Sequence, residues 1–152
     1  DIATLRRFGD ALFREHYEEI ARNKHVVQLD PDWPTYARLQ AAGFLDVLLA
    51  FEGVVFDPLR GDEKLLGYSV LITTPLLHYR NQLDARNDVL FVTKSHRKTG
   101  LFDALFEATE HAARGRDAAT LTWHAKQGTA LDRIMQRRSD YAVQDILYSK
   151  VL

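Results

Sequence analysis

Residues 92 to 102 read Val-Thr-Lys-Ser-His-Arg-Lys-Thr-Gly-Leu-Phe, a short cationic segment between an apolar run and an amphipathic stretch. A helix starts with amide groups that have no intrahelical acceptor. Its aligned peptide dipoles add partial positive charge at the same place. Gly100 has no Cβ, so its backbone can close on a ligand. Arg97 and Lys98 can add charge pairing. The chemistry these residues suit is a cradle for phosphate or pyrophosphate. A plain β–α turn with solvated basic residues uses the same types. The segment has no Gly-Lys-Ser/Thr and no three-glycine fingerprint, which argues against a Walker loop and a dinucleotide turn.

The flanking elements must position that junction. Leu5, Phe8, Leu12 and Ile20 recur at helical spacing and predict a helix over 2–22, with Asp1 or Thr4 as its cap. Asp30-Pro31-Asp32 starts a second helix over 33–42, closed by Gly43. The period then changes. Residues 44–56 read as a strand bulged at Gly53, 57–62 as a turn, and 65–74 as the returning strand of an antiparallel hairpin. A strand over 86–93, a helix over 99–114, a strand over 118–124, a helix over 129–138 and a last strand region over 141–151 complete the order. Strand–helix–strand across 86–124 requires a right-handed crossover between parallel strands, so the sheet is mixed.

The 152 residues suit one domain, 1–152, with neither repeats nor a linker. Apolar residues make up 46% and charged residues 27%, an ordinary globular balance. The net charge of −1 argues against a polyanion binder, so DNA is not an expected partner and any anion site is local. With no cysteine, disulfides, thiolate metal sites and a cysteine nucleophile are excluded. The six histidines lack metal-ligand spacing, and no metal is expected. No apolar run approaches the roughly 18 residues of a membrane span. The expectation is a cytoplasmic protein.

Arg97-x-x-Gly100-x-Phe102, after a strand ending in Val92, resembles the acetyl-coenzyme A loop of the GNAT N-acetyltransferase superfamily, usually Gln/Arg-x-x-Gly-x-Gly/Ala. Phe102 departs from that pattern. The element order is similar throughout, and Asp145 to Leu152 looks like the closing strand of many members. The resemblance implies an α/β (α+β) fold: a mixed, mainly antiparallel sheet with a central splayed parallel strand pair, flanked by about four helices. It implies that backbone groups of Phe91 and Val92 pair with the pantetheine arm. Amides of Arg97, Lys98, Thr99, Gly100, Leu101 and Phe102 would hold the pyrophosphate.

The implied activity is transfer of an acetyl group from acetyl-coenzyme A to a primary amine by direct attack. The attacking amine must lose a proton. Asp88, on the face of Leu90 and Val92, stands where some relatives place a base, and Glu52 at the strand kink is the second candidate. Relatives often carry an acidic tyrosine near the position of Met135, which cannot donate a proton; Tyr141 is the nearby substitute, with Tyr148 behind it. His78 and Tyr79 in the loop before the motif strand, and His124 after the next strand, are candidates for contacting the acceptor amine, a small molecule or a protein. A homodimer is compatible with the family. The alternative is a GNAT-like module without catalysis that binds acyl-coenzyme A or another protein.

Overall fold

The computed structural model describes residues 1–53 and 63–151. The expected turn at 57–62, and residues 54–56 of the preceding strand, lie outside them. Helices α1 (Ile2–Phe8), α2 (Asp10–Ile20) and α3 (Trp33–Ala41) come first, then strands β1 (Leu45–Phe51), β2 (Leu65–Pro75) and β3 (Leu83–Val92). A single 3-10 turn (Lys94–His96) leads into α4 (Leu101–Gly115), followed by β4 (Thr120–Trp123) and α5 (Ala130–Met135). The expected long first helix is broken at Gly9. A Cβ there would collide with the Leu5 carbonyl oxygen, and the close turn lets both short helices lay Leu5 and Leu12 onto the core.

The sheet runs β1-β2-β3-β4, with β1/β2 and β2/β3 antiparallel and β3/β4 parallel, a mixed sheet as expected. The parallel pair lies at one side of it, because β4 is the outer strand among the described residues. Residues 141–151 form no strand, which corrects the expectation there. Val143 and Tyr148 are 84% and 92% exposed. A strand needs a neighbour's backbone as well as a suitable pattern, and this stretch pairs with none among the described residues.

The two faces of the sheet carry different helices. Val70, Tyr68 and Phe91 pack against Leu5, Leu12, Phe13 and Tyr36 of α1–α3. On the other face Leu71 and Ala85 meet Ala113 of α4. Burying a large apolar side chain contributes about 1.5–3 kcal/mol, so the first cluster supplies most of the driving force. α4 comes close because Gly67 lets it: a Cβ there would stand 2.8 Å from Leu105 Cδ1. Beneath α4 lies a buried polar chain. Thr109 donates to the Leu105 carbonyl (2.7 Å) and accepts from the Ser69 hydroxyl (2.8 Å), and Asn87 Nδ2 donates to Ser69 Oγ (3.0 Å).

Candidate functional site

The parallel pair runs from Asp84↔Thr120 to Asn87↔Trp123, where β4 ends, and the second half of β3 has no strand partner on that side among the described residues. The register of β3 against β2 slips at the same level, passing from Leu71↔Asn87 to Val70↔Val89 and leaving Asp88 as the extra residue. A bulge bends its strand and increases the local twist, so the second half of β3 is turned relative to the first. It also switches faces. Asn87 joins the chain under α4, whereas Val89 and Phe91 face α1–α3. Asp88 goes with them, accepting from Tyr36 Oη at 3.4 Å. The expectation that Asp88 shares a face with Val92 is therefore corrected, since Val92 lies against Gly67 on the α4 side.

Beyond the bulge, β3 has an open edge. The Thr93 amide donates to the Leu66 carbonyl, toward β2. Backbone groups alternate along a strand, so those of Val92 and Leu90 point to the unpaired side and those of Phe91 point toward β2. Leu90 and Val92, rather than Phe91 and Val92, are the residues offering the edge. The Val92 carbonyl already accepts from Arg97 Nε at 3.0 Å.

At the end of that edge the chain turns into α4. Gly100 is the cap, with φ 81°, a left-handed conformation that side-chain-bearing residues avoid. The space where its Cβ would stand holds no atom within 4 Å. No side chain caps α4, and the amides of Leu101, Phe102 and Asp103 have no protein acceptor among the described residues. These amides converge beside an open space, which is the arrangement an anion cradle needs. Phe102 does not crowd it: its ring tilts against Phe106 (centroids 5.8 Å apart), which stacks on Trp123 at 4.1 Å. Lys98 is exposed beside the turn, and the Thr99 hydroxyl closes back on the His96 carbonyl (2.7 Å).

Two carboxylates of α2 hold this loop from beneath, and sequence reasoning missed them. Glu15 accepts from the Thr93 hydroxyl (2.8 Å) and the Lys94 amide (2.9 Å). Glu19 takes both terminal nitrogens of Arg97, at 2.8 and 2.7 Å. The hydrogen bonds from Arg97 hold the Glu19 carboxyl below its ordinary range, against the opposing effect of burial. Arg97, expected to pair with an anion, is instead a tie between loop, strand edge and helix. The one sequence signal was the spacing of Glu15 and Glu19, which puts both on one face of α2.

A second set missed by sequence reasoning lies over the same strand. His16 Nδ1 is 2.7 Å from Tyr68 Oη, and the imidazole stacks on Phe91 (centroids 4.6 Å apart). Burial, then the neighbouring Lys126, pushes the His16 pKa down to about 4, so the ring is neutral near pH 7. Its Nε2 is buried without a protein partner. Burial raises the Tyr68 hydroxyl well above its usual value. Burial, then Asp88, raises Tyr36 to about 12.

The remaining sequence candidates disperse. Glu52 is exposed just past β1, beside Lys64. Through the register it lies level with the end of β3, about five residues or roughly 16 Å along the sheet from Asp88. His78 and Tyr79 are exposed in the β2–β3 turn, at the opposite end of β3 from Gly100. His124 directly follows Trp123, just past the end of β4, and is exposed. Tyr141 is tied behind α4, donating to Glu110 Oε1 (2.7 Å) and accepting from Trp123 Nε1 (3.1 Å). Burial, then the bond to Glu110, pushes its hydroxyl up to about 12. A cavity of about 120 Å³ beside Tyr141 and Leu121 is lined by none of residues 88–102.

Over nearly its whole length the chain is similar to solved acetyltransferases. An aminoglycoside acetyltransferase from an uncultured soil metagenomic sample matches at a TM-score of 0.69 and 16% identity, covering 99% of this chain and 91% of that one. A ribosomal-protein-alanine N-acetyltransferase from Brucella melitensis biovar Abortus 2308 matches at 0.64 and 18%, covering 99% and 92%. The glucosamine-6-phosphate N-acetyltransferase of Arabidopsis thaliana matches at 0.65 and 8%, covering 99% and 93%. No family model matches the sequence, and no curated protein does. By fold, the chain is similar to N-acetyltransferases of the GNAT superfamily. At such identities the likeness speaks for architecture alone. No helix of the described residues is long and apolar enough to cross a membrane.

Proposed function

We propose that this protein is an acyl-coenzyme A-dependent N-acyltransferase that moves an acetyl group from acetyl-coenzyme A to a primary amine. The observation that carries the reading is the coincidence of three features on one strand. β3 bulges at Asp88, extends past the end of β4 after Asn87, and ends at the uncapped, Gly100-opened mouth of α4. An open strand edge suits the amides of a pantetheine arm, which add to it as a further strand would. The free amides of Leu101, Phe102 and Asp103 suit the diphosphate, with Lys98 supplying charge. Arg97 Nε must leave the Val92 carbonyl for the arm to use it, and its hold on Glu19 keeps the guanidinium within the loop when it does.

In this reading the acetyl carbonyl reaches the level of the bulge. A neutral amine attacks it, the nitrogen gives up its proton, and the coenzyme thiolate leaves and is protonated. Asp88 is the base at that level, directly or through water, and the exposed His124, just past the end of β4, is a candidate contact for the acceptor. Glu52, so far along the sheet, takes no part. Tyr141 hands no proton to the thiolate, because a hydroxyl with a pKa near 12 is a much weaker acid than a thiol at about 8.5. Solvent protonates it. The three acetyltransferases named above carry three different acceptors in their names, so the acceptor class here stays open.

The second reading, a coenzyme-binding module without turnover, draws on the same Tyr141, which leaves the cleft without a protein acid. Titration with acetyl-coenzyme A, coenzyme A and ATP, followed by thermal melting, tests the binding claim; release of free thiol over a panel of amines tests the transfer. Stabilisation by both coenzyme forms but not ATP, with amine-dependent thiol release, is expected. Binding without thiol release supports the second reading, and no stabilisation sinks both.

A further inference from the structure

Asp88 is the extra residue of the β2–β3 bulge, and it is exposed. A carboxylate in that place turns about two side-chain torsions and keeps one orientation only if a neighbour holds it. Arg86, two residues before it on β3, is drawn to Asp84 instead, with Nη2 at 3.6 Å from Oδ2. No ion pair engages Asp88 among the described residues. One donor reaches it, the Tyr36 hydroxyl, 3.4 Å from Oδ2, and Oδ1 has no donor among the described residues.

Tyr36 is a rigid mount for that donor. It belongs to α3, whose first turn is fixed by Pro34 and by Asp32, which accepts from the Thr35 amide. Its ring tilts against Trp33 (centroids 6.0 Å apart), and Trp33 meets Phe13 of α2 edge-on at 5.3 Å. Both rings pack on the core that contains Tyr68 and Phe91. The hydroxyl is therefore delivered by a packed ring rather than by a mobile surface chain. Burial, then the charge of Asp88, pushes the phenol up to about 12, so Oη keeps its proton and remains a donor near pH 7. The 3.4 Å separation is long for a hydroxyl donor, whose usual distance is about 2.7–2.8 Å. Contacts among reacting groups are often loose without substrate and tighten when the complex forms.

We infer that Tyr36 is a positioning residue, whose hydroxyl holds Oδ2 of Asp88 and so turns Oδ1 to the proton of the attacking amine. The inference rests on the proposed function, and it adds a group from α3, outside the strand and loop on which that reading stands. In the step it serves, the amine nitrogen bonds to the acetyl carbon and the carbon–sulfur bond breaks with its electron pair on sulfur. The proton leaves the nitrogen for Oδ1, and solvent protonates the thiolate.

The test is a double-mutant cycle on the whole chain. Thiol release at saturating acetyl-coenzyme A, with the amine of the panel that turns over fastest, is measured for wild type, Tyr36→Phe, Asp88→Ala and the double variant. Tyr36→Phe keeps the ring and removes the hydroxyl. Its kcat falls by about 3- to 10-fold, the range of one hydrogen bond, while its affinity for acetyl-coenzyme A, read by calorimetric titration, stays at the wild-type value. In the Asp88→Ala background the same substitution leaves kcat unchanged, because the group it orients is already gone. A merely structural role lowers kcat by the same factor in both backgrounds. That result, or a Tyr36→Phe protein with wild-type kcat, overturns the inference while the proposed function stands. Wild-type turnover in Asp88→Ala removes the base itself, and the inference with it. If the wild type releases no thiol with any amine, the transfer reading and the inference fail together. Should the double variant not fold, 13C spectra of tyrosine-labelled protein decide: the Cζ signal of Tyr36 moves in Asp88→Ala, and an unmoved signal overturns the inference.

Discussion

Gly100→Trp separates a structural from a functional role for the loop glycine. Gly100 has φ 81°, and any side chain in left-handed backbone costs about 1–2 kcal/mol. Among the described residues, no atom beyond its two chain neighbours lies within 4 Å of the site of its Cβ, so the backbone term is the whole expected cost to folding. For a domain of this size a loss of 1 kcal/mol lowers Tm by about 2–4 °C, so the variant should melt about 2–8 °C lower. The effect on ligand is larger. The indole fills the space in front of the Leu101, Phe102 and Asp103 amides. A hydrogen bond to a charged group contributes about 1.5–3 kcal/mol. Losing two of them weakens coenzyme binding by about 100- to 10,000-fold. Gly100→Asn, which tolerates the left-handed conformation, should lose less Tm than the tryptophan variant yet still bind more weakly than wild type. Calorimetric titration with coenzyme A, beside scanning calorimetry of each variant, reads both quantities. A folded Gly100→Trp protein with wild-type affinity would refute the cradle.

The other expectations concern the ties around that loop. Glu19→Gln removes the charge that binds Arg97 in bidentate fashion, and coenzyme affinity should fall several-fold with little change in Tm, because the pair is partly solvent-exposed. Since Arg97 holds the Glu19 carboxyl below its ordinary 4.5, the tie is intact above that pH and is lost as pH falls through the lowered folded value, so wild-type affinity measured by titration should be flat from pH 8 to 5 and drop only below the ordinary carboxylate range. His16 works over a different window. Its pKa is 6.5 in the unfolded chain and about 4 when folded, so the unfolded state binds more protons between those values and stability falls as pH drops from 6.5 to 4. That gap corresponds to at most roughly 3 kcal/mol, and urea unfolding should find it in wild type and not in His16→Phe. Tyr141→Phe breaks the bonds to Glu110 and Trp123 and should cost about 1–2 kcal/mol of stability while leaving thiol release unchanged; a hundredfold slower turnover would restore Tyr141 as the proton donor.

Much of the architecture was legible in the residues. The 3.6-residue pattern of Leu101, Leu105, Phe106 and Ala113 marked α4, and Leu105, Phe106 and Ala113 are buried in it. The change of period at 92–102 marked the strand–loop–helix junction, because helix starts and glycine turns are local events. The break at Gly9 escaped, since helical spacing persists across it and the Leu5 carbonyl that forbids a Cβ is visible only in three dimensions. The strand read into 141–151 failed for the opposite reason: its alternating apolar residues satisfy a pattern, but pairing needs a partner's backbone.

What this amino-acid order determined alone is therefore a set of local choices: which stretches are helical, where β3 stops, and that the turn into α4 must contain a residue free of a Cβ. The tertiary structure decided what the site consists of. It slipped the β2–β3 register at Asp88, turned that carboxylate to the other face, spent Arg97 on Glu19, and brought His16 over Phe91 from 75 positions away. Such contacts depend on the packing of α2 against β2 and β3, and no short window of residues encodes the distance between elements that meet only once the core has closed.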